Sequence, residues 1–293
     1  MANVFDDIIM PVLDEKMPIW REQANLIPTI TRSQTLQNTK YADVPSAAAV
    51  ETQNDFSGAS AAKDWGMSTK RLTINQRCRT PYTLNRIEQA FTEIDLATDF
   101  VAPAVKALIN KVDASIALNG HLTFLTNRIV TNAPMKAELL TKAKTLIKRR
   151  GLDAMAEVLA ICPESIETLA NDKDLAAWFA NTGTAAVMTG AVPKLHGLDR
   201  ADTSVIYSPN EGRYVNLVYN KQAMRIRFAN LMAKTMGEYY GADARQFIDP
   251  VSGIALYFIV QKSLDGVTLM LDAAWGVLTC NELLGCAIEV VEA

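Results

Sequence analysis

No run of about 18 apolar residues occurs anywhere in this chain of 293 residues, so no segment reads as a membrane-spanning helix. The opening MANVFDDIIMP lacks the basic head and apolar stretch of a signal peptide, and the chain is expected to be made and kept in the cytosol. Histidine is scarce. His121 and His196 are the only two, and neither belongs to an HExxH pair or stands beside a serine or cysteine that it could activate. A GxSxG elbow, a GxxxxGKS/T phosphate loop and a GxGxxG turn after a strand are all missing. These absences argue against histidine-based hydrolysis and leave nucleotide chemistry without a seat. Cys78, Cys162, Cys280 and Cys286 lack metal or redox spacing and lie among apolar or strand-forming neighbours, so they are expected to be reduced core thiols. An excess of positive charge is also missing. A net charge of −3 and a pI near 5.6 argue against tight wrapping on nucleic acid, because neutralising many phosphates needs a basic surface.

What is present is a globular composition. With 49% hydrophobic and 21% charged residues the chain can bury an ordinary core, as one large domain or two small ones. Its longest regular signal is 99–119, DFVAPAVKALINKVDASIALN, where Val101, Val105, Leu108, Ile109, Val112 and Ile116 recur at three- and four-residue steps. That spacing predicts a helix about 30 Å long with one apolar stripe, Lys106, Asn110, Lys111 and Asp113 lying largely off it. Asp99 suits its positive end and Asn119-Gly120 reads as a left-handed stop. Pro103 must sit in the first turn or kink the helix.

Before this helix, 3–30 carries a short helical pattern, Phe5, Ile8, Ile9, Val12 and Leu13, interrupted by Pro11, Pro18 and Pro28; it is expected to lie as an arm across its own subunit or a neighbour. Residues 36–50 and 70–79 read as two strands, the second with Leu72, Ile74, Gln76 and Cys78 on one face. Between them runs a small-residue loop over 52–68 whose large apolar groups, Phe56 and Trp65, either fold back on these strands or meet a partner surface. After the long helix, 135–150 predicts a second one with Leu139, Ala143, Leu146 and Ile147 buried. Its basic cluster, Lys142, Lys144, Lys148, Arg149 and Arg150, is a solvated face complementing the helix dipole or, less favoured, a nucleic-acid contact. EVLAIC (157–162) reads as a buried strand and Pro163 as the start of a helix, with a further helical turn at 175–179. The stretch 183–198 is a turn-rich crossing. Strands follow at 205–207, 214–219 and 224–228, and a final pair at 254–261 and 267–279 surrounds Asp265-Gly266, a hairpin signal. Glu93, Asp95 and Asp99 are close in sequence, but among 32 acidic residues such proximity is uninformative, and helix starts or solvated faces account for them.

Three stretches carry a family likeness: 86–118, where IDLATD leads into VKALINKVDASIAL; VPKLHGL at 192–198; and LMLDAAWGVLTCNELLGCAIEV at 269–290, an aromatic-Gly-Val step followed by a polar turn and a last hydrophobic strand. In these stretches and in the order of its parts the chain resembles the Hong Kong 97-type major capsid proteins of tailed bacteriophages. The resemblance implies an α+β fold with an N-arm (1–44), an E-loop (45–80), a P-domain from 81–131 and 220–293 that carries the spine helix (99–119) and the C-terminal strands, and an A-domain (132–219). It implies a structural, non-enzymatic subunit that assembles with itself as hexamers and pentamers into an icosahedral shell around double-stranded DNA. Weak non-specific DNA contact, scaffolding, portal and decoration proteins as further partners, and no cofactor, metal or membrane go with it. Phe56, Lys63, Asp64 and Trp65 of the E-loop would then touch a neighbour, and Val101, Val105, Leu108, Val112 and Ile116 would form the buried face of the spine helix. No long coiled N-terminal extension appears, which argues against a fused scaffolding segment. The rivals are an encapsulin-type compartment, with the same fold and protein cargo, and an α/β enzyme with a carboxylate site.

Overall fold

The computed structural model describes residues 26–27, 31–32, 41–46, 68–85, 100–149, 155–170, 194–195, 197–202, 213–229, 243–249, 254–262 and 266–291. The expected arm helix at 5–13, the loop at 52–67, the helical turn at 175–179 and the strand at 205–207 lie outside them. In chain order the elements are β1 (Thr31–Arg32), β2 (Tyr41–Ser46), β3 (Ser68–Thr73), β4 (Gln76–Asn85), α1 (Ala102–Thr123), β5 (Arg128–Thr131), α2 (Ala137–Arg149), β6 (Val158–Ile161), α3 (Pro163–Ala170), β7 (Lys194–Leu195) and β8 (Leu198–Asp202). They continue with β9 (Arg213–Tyr219), β10 (Met224–Phe228), β11 (Asp243–Ile248), β12 (Ala255–Lys262), β13 (Gly266–Thr279) and β14 (Gly285–Val291). The architecture is α+β.

Helix α1 is the longest described element, with Pro103 in its first turn, where a missing N–H costs little. Its stripe packs on the first sheet. The helix does not stop at Asn119-Gly120, as the sequence suggested, but runs on to Thr123. Gly120 is there for closeness rather than for a turn: a Cβ on it would lie 2.7 Å from Leu217 Cδ1 and 3.3 Å from Phe124 Cε2. The tertiary contact overrides the local signal.

The first six-stranded sheet has the order β1-β10-β13-β12-β11, with β4 also pairing to β13. Strand β13 is its axis, running antiparallel to β4 from Gly266↔Asn85 to Trp275↔Gln76, to β12 and to β10. The expected strand over 70–79 is broken at Ile74-Asn75: β3 pairs with β2 in a separate two-stranded sheet, while β4 joins β13. Alternation survives the break, with Leu72 buried, Ile74, Gln76 and Cys78 half-buried, and Arg77 and Arg79 exposed.

The second six-stranded sheet has the order β5-β14-β9-β6-β8-β7. Strand β14 runs parallel to β5 and antiparallel to β9. Strand β14 thus lies between β5 and β9 and joins 128–131 to 213–219 in one sheet. The reason is visible in GCAIEVV, an almost unbroken apolar run suited to a strand with neighbours on both sides. Helix α2 covers this sheet through Leu140, Ala143 and Ile147; Leu140 takes the fully buried place expected for Leu139, and Leu139 and Leu146 flank it half-buried. Within VPKLHGL, β7 and β8 form a tight hairpin with Leu195 opposite Leu198, and Gly197 adopts φ +75°, the left-handed region that favours glycine.

Candidate assembly surfaces

The β2–β3 hairpin pairs in register from Tyr41↔Thr73 to Ser46↔Ser68 and continues through Ile74-Asn75 into β4 of the first sheet. Phe56, Lys63, Asp64 and Trp65 belong to its connection and lie outside the described residues. The root of the hairpin is described in full. Leu72 is completely buried against Cys280 and Leu278. Thr73 and Ile74 cross directly over Gly276, where a Cβ would come within 2.2 Å of the Thr73 carbonyl oxygen. One step further, Asp272, only 2% exposed, receives Arg77 through Nε at 2.9 and 3.0 Å and through Nη2, and Arg79 through Nε and Nη2 at 3.3 Å. Removing such a carboxylate from water is tolerable only with this pairing.

Val101, Val105, Leu108, Val112 and Ile116 are all buried along α1. Asp113, read from the sequence as lying off the stripe, is 7% exposed and accepts the backbone N–H groups of Leu26 and Ile27 at 3.3 and 3.2 Å. The segment leading into β1 is thereby fastened to the middle of the helix. At the far end Asn119 Nδ2 donates to Thr279 Oγ1 at 2.8 Å, and the Thr123 and Thr279 hydroxyls lie 2.7 Å apart, tying the last turn of α1 to the end of β13.

In the second sheet Glu289 of β14 bridges both neighbouring strands, to Arg128 of β5 and, at 3.0 Å, to Arg213 of β9. Burial alone would push its carboxyl up, but the two guanidinium groups outweigh this and hold it below the usual carboxylate range. His121, at the end of α1, is lowered chiefly by burial, with Arg128 adding to the effect and Glu289 opposing it. Cys162 contacts Ser165 Oγ at 3.1 Å, and Asn216 donates to that same hydroxyl at 2.8 Å while accepting the Cys162 N–H at 3.0 Å. This trio does not make a nucleophile. Burial raises the Cys162 thiol, the Glu164 carboxylate beside it adds to the rise and Ser165 opposes it, so the thiolate that a nucleophile needs is disfavoured. All four cysteines are free thiols, with Cys286 pushed up to about 12 by burial.

Among the described residues there is no group of three or more His, Cys, Asp or Glu side chains placed to hold a metal ion, and no helix long and apolar enough to cross a membrane. Several large apolar side chains instead face outward: Leu122, Leu125 and Val130 at and beyond the end of α1, and Met155 and Ile248 elsewhere. On α2, Lys142, Lys148 and Arg149 are exposed and Lys144 is half-buried, while Arg150 lies outside the described residues.

No protein-family model and no curated protein sequence matches the chain. Solved structures do. The capsid of the cyanophage P-SCSP1u superposes with a TM-score of 0.60 over 90% of this chain and 87% of that one, at 15% identity. The capsid of Ralstonia phage GP4 gives 0.56 over 90% and 87%, at 11% identity. The chain has the fold of a phage capsid subunit. The encapsulin of the holo-SrpI complex from Synechococcus elongatus shares that capsid fold, with a TM-score of 0.54 over 92% of this chain and 88% of that one at 10% identity. At such identities the likeness is one of fold, and the fold is common to phage shells and to an encapsulin.

Proposed function

We propose that this protein is the structural subunit of a tailed-bacteriophage capsid, assembling with itself into an icosahedral shell that encloses double-stranded DNA. One observation carries the reading: the likeness to phage capsid subunits spans about nine-tenths of both chains, so it is a likeness of the chain as a whole rather than of a shared fragment. In this reading 45–80 is an E-loop laid over a neighbouring copy, with Phe56, Lys63, Asp64 and Trp65 in contact with it, and α1 is the spine helix, with Val101, Val105, Leu108, Val112 and Ile116 as its core. The N-arm (1–44) runs along a second neighbour. Residues 132–219 form the A-domain near the local five- and six-fold axes of pentamers and hexamers, and 81–131 with 220–293 form the P-domain. No catalysis is required of such a subunit. A mildly negative chain suits a lining that touches DNA weakly and without sequence preference, since packaged DNA must also leave. Assembly takes place in the host cytoplasm, with portal, scaffolding and decoration proteins as further partners.

The encapsulin neighbour supports a second reading, a compartment for protein cargo in the same fold. Electron microscopy of the purified protein separates a shell from an enzyme, and the contents of shells made in the native host separate DNA from cargo. Persistent monomers under every assembly condition, or shells holding protein and no DNA, would overturn the capsid reading.

A further inference from the structure

We propose that the root of the β2–β3 hairpin is a fixed mount that sets the direction in which the hairpin leaves the subunit, and that Gly276 is the residue which decides that direction. The geometry stands by itself; its consequence for assembly rests on the shell-subunit reading above.

Strands β2 and β3 pair with each other and, among the described residues, with no third strand. A lone two-stranded hairpin has little rigidity of its own, so its bearing must be imposed where it is attached. Two contacts hold its root, at Gly276 and at Leu278 with Cys280, and a third, at Asp272, holds the start of β4 just beyond the crossing. Leu72 plugs into Cys280 and Leu278 on one side of the crossing. Asp272 grips Arg77 and Arg79 on the other. Between them the backbone of Thr73 and Ile74 rests on Gly276: its virtual Cβ would be 2.2 Å from the Thr73 oxygen, 2.9 Å from the Thr73 carbonyl carbon and 3.1 Å from Ile74 Cα. All three atoms are backbone, so no side-chain rotation relieves the overlap. One methyl group at 276 must lift the root by a distance on the order of 1 Å to reach ordinary van der Waals contact. The six paired residues beyond it extend about 20 Å and carry any tilt to the connection that follows. The partner whose fit depends on this angle is a second copy of the chain.

The test uses the full chain, with Gly276→Ala as the direct variant and Leu72→Ala as one that loosens the mount without pushing on β13. Hydrogen exchange reports on the amides of 68–75, circular dichroism and melting on the subunit, and sedimentation with electron microscopy on assembly. Both variants should keep the parent's dichroism, exchange at 68–75 at least tenfold faster than the parent, and give shells of altered size or none. Parent-like exchange together with parent-like shells would overturn the proposal. Should Gly276→Ala not fold, Leu72→Ala decides by the same readouts. If the parent itself forms no shells, the capsid reading fails, while the exchange comparison still decides whether the mount is fixed.

Discussion

The indole Nε1–H of Trp275 donates to Ser115 Oγ at 2.7 Å, and that hydroxyl donates in turn to the Val112 carbonyl at 2.8 Å. Both residues are buried, and 160 positions of sequence separate them. The bond therefore ties the middle of α1 to the axis of the first sheet at the one polar atom that Trp275 must satisfy. Ser115→Ala should cost about 1–3 kcal/mol, because it leaves a buried N–H without an acceptor. In a Trp275→Phe background the same substitution should cost under about 1 kcal/mol. Denaturant unfolding of the four proteins measures the difference, and equal penalties in both backgrounds would show that the bond contributes nothing.

Leu108→Asp places an unpaired charge in the fully buried stripe of α1 and should cost several kcal/mol of a total of about 5–15, enough to prevent folding or assembly. Lys106→Asp, two residues away and exposed near the helix start, should stay within about 0.5 kcal/mol of the parent. Soluble yield and thermal melting distinguish them. Similar damage from both would mean that the exposed face is covered by something else.

Glu289 makes stability sensitive to acid. Its folded carboxyl titrates below the unfolded value, so its contribution is fully present above the unfolded range, near pH 4.3, and is lost as pH falls through the depressed folded value. Glu289→Gln should be less stable than the parent at neutral pH, and the gap should close as the solution is acidified below about pH 4. Unfolding curves from pH 7 to pH 3 check this, and a gap that widens in acid would give the pairing the wrong sign.

Replacing 47–67 with Asn-Gly joins Ser46 directly to Ser68, which already face each other across the hairpin. The subunit should fold with unchanged melting and fail to form shells, because Phe56 and Trp65 are removed and buried aromatics commonly contribute about 2 kcal/mol or more each to an interface. Sedimentation under conditions where the parent assembles gives the answer. Normal shells from the shortened chain would refute the contact role of this loop.

The parts of the fold that were legible in the sequence are those set by local periodicity. The stripe of α1, the buried strand at 158–161, the start of α3 at Pro163 and the antiparallel pair β12–β13 follow from spacing and turn chemistry alone. What was not legible depends on partners far away in the chain. Gly120 looks like a helix stop until Leu217 is seen against it. Asp113 looks like a surface residue until the N–H groups of Leu26 and Ile27, 87 and 86 positions away, are found on it. The residues of β14 advertise burial but not which sheet they enter. The Trp275-Gly276-Val277 step was recognisable as a pattern, yet its physical reason, the Thr73 carbonyl lying on the glycine, appears only in three dimensions.

Both sheets are organised around strands from the last part of the described chain, and their polar clasps span great lengths of sequence: 195 positions from Arg77 to Asp272 and 161 from Arg128 to Glu289. Each clasp closes only after a long chain has been gathered, so loop entropy is spent well before the pairing repays it. Folding of this subunit should accordingly be slow, in the range of milliseconds to seconds or beyond, with β4 and β9 left as open edges while they wait for β13 and β14. A protein made at high concentration with such edges exposed competes with its own aggregation, and the yield of competent subunits then depends on how fast these two strands dock.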